Sequence, residues 1–475
     1  MDLKDKRVLV VGLGKSGVAS ALFLKSRGAQ VTVSDSKPEA ELRSEILLLL
    51  EHGIAVETGG HGDRTFRDQD LIVVSPGVPV DAPQLVQARS LGEKVIGEIE
   101  LAAQFLPGPI AAITGANGKT TTTTLAGEIL AAAKIPVLVG GNIGTPAISF
   151  VGQAKPNTWI VLEVSSFQLE TVVDFRPRIA VILNITPDHL DRHKTFANYV
   201  GAKARIFENQ GPEDFTVLNA DDPTTVDLAE RTLAQRFLFS RKKEIGTGAF
   251  VRGAHIFFRG AARVPSSANT VGSGQTPEAE REIMPLSEIP LKGAHNLENV
   301  LAAISVGMLA GAHPEQIRQA VRNFKAVEHR LEFVARVAGV DYYNDSKATN
   351  VDATIKALES FPANIHVILG GKDKGSDYTV LNDLLRARVK RVYTIGAAAA
   401  KIESHIQGAT EIDHAETLET AVQRASASAS PGDVVLLAPA CSSFDQFQNY
   451  EHRGRVFKET VHSLARVQDL SPASE

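Results

Sequence analysis

The feature that most constrains this chain is the run Ile110-Ala-Ala-Ile-Thr-Gly-Ala-Asn-Gly-Lys-Thr-Thr122, in which an apolar strand pattern breaks into a glycine-rich turn ending in Gly118-Lys119-Thr120. That order is what a nucleotide phosphate site needs. Glycines let backbone N–H groups approach phosphate oxygens, a lysine supplies a point charge for the outer phosphates, and the hydroxyl of Thr120 can ligate Mg²⁺. ATP is therefore the first ligand to expect, with Gly115, Asn117, Gly118, Lys119, Thr120 and Thr121 around its phosphates. The turn is shorter than the usual Walker form, because the position five before Gly118 is Ile113 and the upstream glycine is Gly115.

Composition narrows the class. A chain of 475 residues has room for about two to four domains, each burying its own core. A net charge of −5 and a pI near 6.3 argue against a polyanionic partner, so no nucleic acid is expected. The single cysteine, Cys441, cannot form an intramolecular disulfide and reads as a small buried residue rather than a nucleophile. The start MDLKDKRVLVVG lacks an apolar segment before a cleavage site, and no run of about eighteen apolar residues occurs, so a cytoplasmic protein without a membrane span is expected.

Strand and helix patterns alternate in three blocks. The first predicts strands at 7–12, 30–35, 71–75 and 94–99 with a helix over 16–27. The second starts at the phosphate loop and continues through strands at 159–165 and 179–185, apolar on both faces as parallel strands require. Over 241–290 the pattern degrades, and the Ser/Gly/Thr/Pro/Glu-rich piece at 265–282 reads as a mobile surface insertion unable to fill a core. A helix is expected over 296–310. The third block, from Val327, predicts strands at 339–344, 365–369, 391–395 and 434–438. The expected architecture is α/β in three domains, 1–97, 98–326 and 327–475, each a Rossmann-like or doubly wound, mostly parallel sheet.

Within the first block, Gly12-Leu-Gly14-Lys-Ser-Gly17 follows a strand, and Asp35 lies eighteen residues past the last glycine. This is a diphosphate fingerprint, in which Asp35 would accept from a ribose hydroxyl or a base, and it does not choose NAD over a UDP-sugar. In the second block, Glu163 ends the strand Trp-Ile-Val-Leu-Glu163, where an open parallel sheet delivers a carboxylate to the crevice shared with the phosphate loop and can hold Mg²⁺. The stretch from Asn184 through Asp188-His189 to His193 contains a His-x-x-x-His pair that would face one way on a helix. Zinc is not the reading, since no third ligand has a clear spacing and the phosphate loop calls for Mg²⁺. Lys203, on a downstream helix pattern, reads by itself as a surface lysine.

Together these stretches resemble the Mur ligases, ATP-dependent amino-acid-adding enzymes of peptidoglycan synthesis, over nearly the whole chain. Residues 114–120 look like that family's shortened phosphate loop on a P-loop-type ATPase domain, Gly140-Gly-Asn142-Ile-Gly144 like its Gly-Asn-Ile-Gly turn, and Asn184 with Asp188-His189 like its metal loop. Lys203 falls where the family has a carbamylated lysine. The resemblance implies catalytic roles for Lys119, Glu163, His189 and Lys203, and two Mg²⁺ ions held through Thr120, Glu163, His189 and the Lys203 carbamate. It also implies ATP contacts from Asn142, Asn296, Asn299, His329, Arg330, Asp345 and Lys347. Ser16, Asp35, Ser36, Lys37 and Ser75 would meet a UDP moiety, with Asn142 and Ser165 toward the acceptor.

In the third block, the strings beginning at Asn344-Asp345, Leu369-Gly-Gly-Lys372 and Pro439-Ala-Cys-Ser-Ser443 look like the branch that adds D-glutamate to UDP-N-acetylmuramoyl-L-alanine. The resemblance implies that Thr349, Lys374, Ser443, Phe444 and Tyr450 surround D-glutamate; Tyr450 stands where the family pattern has Phe. It further implies an acyl phosphate formed from the alanyl carboxylate and ATP, closure of the third domain over the second, a monomer, and a cytoplasmic role in cell-wall biogenesis, cell shape and division. Two other readings accommodate parts of the sequence. An NAD(P)-dependent dehydrogenase uses the first fingerprint but leaves Lys119, Glu163 and His189 unexplained, and a nucleotide-gated binding protein uses ATP without chemistry. Among Mur-like ligases, folylpolyglutamate synthase also uses glutamate but would not need the first block.

Overall fold

Strands collect into three sheets in the computed structural model, which describes residues 1–62, 64–260, 280–325 and 327–469. The first comprises β1 (Arg7–Val11), β2 (Gln30–Ser34), β3 (Ala55–Glu57), β4 (Leu71–Val74) and β5 (Val95–Gly97), all parallel, in the order β3-β2-β1-β4-β5. Successive side chains of a strand point to opposite faces, so a strand covered on both sides must be apolar throughout. Val8 and Val10 pack with Val31, Val33 and Val73 on one face. Leu9 and Val11 pack with Ile72 and Val74 on the other.

The second sheet contains β6 (Ile110–Thr114), β7 (Val137–Gly141), β8 (Trp159–Glu163), β9 (Ile179–Ile182), β10 (Phe215–Asn219), β11 (Gln235–Ser240), β12 (Gly248–Arg252), β13 (His255–Arg259) and β14 (Glu280–Pro285). Their order is β14-β13-β12-β11-β10-β9-β6-β8-β7, parallel from β7 to β12 and antiparallel from β12 to β14. This corrects the expectation of an irregular insertion over 241–290. The last three strands bury Phe250, Ile256, Phe258 and Met284, while Arg252 and Arg259 reach across to Glu280. An antiparallel edge solvated on one face alternates apolar with charged residues, which a search for continuous apolar runs overlooks. Residues 261–279 of the expected insertion lie outside the described residues.

The third sheet has the order β15-β16-β20-β17-β18-β19, with β15 (Glu332–Val337), β16 (Val340–Asn344), β17 (Ile365–Gly370), β18 (Val389–Ile395), β19 (Glu411–Glu416) and β20 (Val434–Leu437). Only the β15–β16 pair is antiparallel among these neighbours. Val367 and Leu369 feed one core and Ile368 the other, again explaining an unbroken apolar run. Met1–Glu288 with Glu298–Phe324 form one compact unit, and Ile289–Leu297 with Lys325–Glu475 form a second. Among the described residues no helix is long and apolar enough to cross a membrane.

The first and second sheets share a unit because one apolar cluster continues from β1 and β5 through Ile99, Leu101 and Ala102 to Ala147, Ile148 and Phe150. The strand expected at 94–99 ends at Gly97, and the helix Glu98–Ala103 follows. Its two acids turn inward to serve neighbouring loops. Glu100 accepts from the N–H groups of Val173, Asp174 and Phe175, and Glu98 accepts from the Ile148 N–H at 2.7 Å. The second oxygen of Glu98 is buried without a protein partner, and burial pushes the carboxyl up to about 7.

A carboxyl whose folded pKa exceeds its unfolded value near 4.5 makes the folded state bind the extra proton between those two values, so stability falls as pH rises through that window and is flat above it. The contribution is up to about 3 kcal/mol. Glu98→Gln, which keeps the acceptor for Ile148, is therefore expected to flatten the urea midpoint between about pH 5 and 7 and to stabilise the protein above pH 7. A mutant with the slope of the parent protein would show that Glu98 is not the titrating group.

Candidate active site

The turn at 115–118 joins β6 to the helix Lys119–Ala132, whose N-terminal N–H groups face the loop as an anion cradle does. Gly118 caps that helix with φ +86°, and a Cβ there would fall 2.0 Å from Asn299 Oδ1. Asn184, at the end of the run after β9, holds the turn from outside: its Oδ1 accepts from the Asn117 N–H at 2.9 Å, and its amide donates to the Asn117 carbonyl at 3.1 Å. Sequence reasoning placed Asn184 in a metal loop. Here its side chain also shapes the phosphate loop, a cross-strand role that no local pattern encodes.

Two lysines converge on one carbonyl. Lys119 Nζ donates to the Gly115 and Ala116 carbonyls at 2.9 and 2.8 Å. Lys203, on the helix Phe196–Ala204, donates to the same Gly115 carbonyl at 2.9 Å and to Thr114 Oγ1 at 3.3 Å, with its amine 4.7 Å above the Tyr199 ring centroid. Lys203 is 1% exposed, which corrects its reading as a surface lysine. Burial, reinforced by the Lys119 charge and opposed by Asp188 and Glu163, holds its amine well below the usual lysine range. That shift favours the uncharged amine over the ammonium.

Glu163, at the end of β8 and 1% exposed, accepts from Thr120 Oγ1 and from Asn142 Nδ2, each at 2.8 Å. The carboxylate and the threonine hydroxyl are oxygen donors of the kind a hard divalent cation takes. His189 sits with φ 53° just before the short helix Leu190–His193, its side chain 41% exposed and its Nε2 3.7 Å from Asp188 Oδ2. The expected His-x-x-x-His pair divides: His193 is buried on Ser166 Oγ at 3.0 Å and on Glu170 Oε1 at 3.3 Å, while both rings pack on Phe167. Ser165 caps the helix Ser166–Leu169 through a reciprocal box with Gln168, and Thr121 is buried in the helix wall.

In the first sheet, a Cβ at Gly17 would lie 1.8 Å from the Gly12 carbonyl oxygen, whereas one at Gly14 meets nothing within 4 Å. Close helix–strand approach therefore requires Gly17, and the loop opens to space at Gly14. Asp35 spans this loop, accepting from the Leu13 N–H at 2.6 Å and from the Lys37 N–H at 2.8 Å. Ser75 donates to the Gly12 carbonyl at 2.9 Å. Ser36 and Lys37 are exposed and Ser16 is half-buried.

The second unit gathers its candidates where β16, β17 and β20 end. Asp345 is buried beside Arg330 and accepts from the Leu331 N–H at 3.3 Å. Burial lifts its carboxyl to about 6, against the pull of Arg330, the Leu331 N–H and Lys347. His329, at φ 64°, accepts through Nδ1 from Asn344 Nδ2 at 2.9 Å and packs edge-on to Tyr450, while the Lys347 ammonium lies 5.2 Å from the Tyr450 ring centroid. Asn296 donates to the Lys292 carbonyl. Lys374 is exposed, Thr349 half-buried, Ser443 buried and Phe444 67% exposed. Sequence reasoning missed Arg453. Fully buried, it donates to the Ser346 and Cys441 carbonyls at 2.8 and 3.1 Å and to Ser346 Oγ at 3.0 Å, tying together two of the loops that carry candidate residues. An arginine in an amphipathic helix pattern reads as exposed, so no signal announced it.

Comparison with known proteins bears on all three sheets. The family description "Mur ligase MurD-like, N-terminal domain" matches residues 6–97, "Mur ligase middle domain" matches 113–307, and "Mur ligase, glutamate ligase domain" matches 329–441. A UDP-N-acetylmuramoylalanine--D-glutamate ligase of Koribacter versatilis is 66% identical over 98% of this chain and 99% of its own length. A protein of the same name from Solibacter usitatus is 50% identical over 98% and 99%. Among solved structures, a pseudomurein peptide ligase type C from Methanothermus fervidus aligns with TM-score 0.58 at 18% identity, covering 97% of this chain and all of that one. A UDP-N-acetylmuramate-alanine ligase from Thermotoga maritima aligns with TM-score 0.58 at 21% identity, covering 96% and 99%. At these identities the structures speak for a shared fold.

Gly118→Ala places a side chain against Asn299 in a left-handed conformation that costs roughly 1–3 kcal/mol. Titration calorimetry with a non-hydrolysable ATP analogue is expected to show affinity reduced roughly five- to a hundredfold, with an unchanged far-ultraviolet circular dichroism spectrum. Unaltered affinity would remove this turn from the nucleotide site.

Proposed function

This chain belongs to the Mur ligase family, and on that premise we propose that it joins D-glutamate to UDP-N-acetylmuramoyl-L-alanine at the expense of ATP, a step of peptidoglycan precursor synthesis. The amino acid and the acceptor follow from the name carried by relatives that are 66% and 50% identical over 98% of this chain. One observation carries the chemistry: a buried lysine amine, Lys203, shares the Gly115 carbonyl with Lys119 beside the Glu163–Thr120 pair. That arrangement suits a carbamate. Addition of CO₂ to the neutral amine forms an N–C bond, releases one proton and turns a costly buried cation site into an anionic ligand.

In this reading residues 1–97 bind the UDP moiety, 98–326 bind ATP, and 327–475 bind D-glutamate and contribute ATP contacts. Thr120, Glu163, His189 and the Lys203 carbamate would hold Mg²⁺, as two ions. When bound, the metal neutralises charge on phosphoryl oxygens. The Lys119 ammonium transfers its bonds from the loop carbonyls to those oxygens, and the N–H groups of the turn orient them. The alanyl carboxylate attacks the γ-phosphorus and ADP leaves. The D-glutamate amine then attacks the acyl phosphate carbon, loses a proton, and phosphate departs as the amide forms. Lys374 supplies positive charge for a glutamate carboxylate, and Thr349 and Ser443 supply hydroxyl donors.

Incubation with ATP, Mg²⁺, UDP-N-acetylmuramoyl-L-alanine and, separately, D-Glu, L-Glu, L-Ala and meso-diaminopimelate is expected to yield a condensed product by mass spectrometry with D-Glu alone. Product from another amino acid would overturn the assignment. Lys203→Ala is expected to be nearly inactive and partly rescued by formate or acetate occupying the place of the carbamate; full activity without rescue would exclude the carbamate. Lys374→Ala is expected to raise KM for D-glutamate roughly ten- to a hundred-and-fiftyfold, the worth of a charge-assisted contact, with KM for ATP unchanged. A rise in the ATP constant instead would move Lys374 to the nucleotide site.

A further inference from the structure

After β17 the chain runs through Gly371-Lys372-Asp373-Lys374-Gly-Ser376, a segment outside the named helices and strands that places two lysines on either side of one aspartate. Asp373 is the hub of its packing. One carboxylate oxygen accepts from the Tyr378 hydroxyl at 2.7 Å and from the Ser376 N–H at 3.1 Å, and the other accepts from Lys401 Nζ at 2.8 Å. Tyr378 is fully buried in the core under this loop. Its hydroxyl also lies 3.0 Å from the thiol of Cys441, in the segment that follows β20.

The direction of this chain of hydrogen bonds is determined by its ends. Against burial, which would raise it, bonds from Lys401, Tyr378 and backbone N–H groups hold the Asp373 carboxyl down at about 2, so it only accepts. Burial pushes the Cys441 thiol up to about 11, so it keeps its proton. Tyr378 must then donate to Asp373 and accept from Cys441. The same two segments are stitched a second time where Lys372 N–H donates to the Ser442 carbonyl at 2.8 Å and Ser442 Oγ donates to the Lys372 carbonyl at 3.1 Å. Each segment carries residues assigned above to D-glutamate: Lys374 on the first, Ser443 and Phe444 on the second.

We propose that Asp373 and Tyr378 are positioning residues for D-glutamate, holding the Lys374 segment in register with the Ser443 segment through the buried Asp373–Tyr378–Cys441 chain. The inference rests on the reading that this chain ligates D-glutamate. Neither side chain needs to touch the amino acid. Asp373 is paired with Lys401, and the tyrosine hydroxyl ties that ion pair to the Cys441 segment, fixing the spacing between two loops. Within a network of this kind the bonds support one another, so loss of one hydroxyl loosens both segments.

Tyr378→Phe keeps the buried ring and removes only the hydroxyl. It is expected to raise KM for D-glutamate roughly five- to twentyfold, with kcat and the KM values for ATP and the UDP-substrate within about twofold of the parent. Asp373→Asn should raise it further. Because Cys441 is the single cysteine, reaction with an aromatic disulfide reagent reports opening of the same network: Tyr378→Phe should speed labelling, and saturating D-glutamate should slow it again while ATP alone does not. If Tyr378→Phe fails to fold, Lys401→Met, at a partly exposed position, should raise the glutamate KM in the same direction. A folded variant with unchanged glutamate KM, or equal rises in all three constants, would overturn the proposal while leaving the ligase reading intact. A parent protein that consumes no ATP in response to D-glutamate would overturn both.

Discussion

The structure around the phosphate loop depends on one carbonyl oxygen, that of Gly115, which accepts from both Lys119 and Lys203. Two ammonium groups on one acceptor repel, and the better buried of them bears the larger desolvation cost. Lys203 is that group, and its proton is the one the fold disfavours. Lys119 is half-buried and is held by backbone carbonyls, bonds that a phosphate can replace without leaving an apolar cavity behind. The difference in burial thus sets two chemically similar side chains on the same acceptor apart.

Everything else in that site is arranged by where parallel strands end. β6, β8 and β9 lie side by side in the second sheet, so the phosphate loop, Glu163 and Asn184 emerge along one edge although long stretches of chain separate them. In open α/β sheets that edge is where ligands bind. The second unit repeats the rule with β16, β20 and β17 as neighbours, bringing the segments of Asp345, Ser443 and Lys374 to a common edge. There the backbone bonds of the loops are supplemented by a fully buried arginine, Arg453, whose guanidinium is satisfied by carbonyls of two segments. Leaving such carbonyls unpaired would be costly in a dry interior, so the arginine specifies the loop arrangement as well as filling space.

Periodicity identified the doubly buried strands because their apolar runs follow from coverage on both faces: β1, β4, β8, β9, β17 and β20 all lie where unbroken valine, isoleucine and leucine pointed. It missed β3, β15, β19 and the edge run β12–β14, since strands at or near a sheet edge carry charged residues whose exposure depends on what lies beyond them. It also passed over β7, β10 and β11, although β10 is buried throughout inside the second sheet. Tyr378, Asp373 and Arg453 were invisible for a related reason. A polar residue reads as solvated until a neighbour from a distant segment covers it.

What the sequence by itself determined is therefore the chemistry available and the local geometry that delivers it: a glycine-rich turn after a buried strand, a carboxylate at the end of another, a diphosphate loop, and the motif strings that mark the family. These depend on residues close together in the chain, where backbone conformation and spacing are dictated locally. Only the tertiary structure decided the burial of Lys203, the division of His189 from His193, and the hidden supports of the loops. Burial and electrostatic neighbourhood are properties of segments far apart in sequence, and neither exists until those segments are packed together.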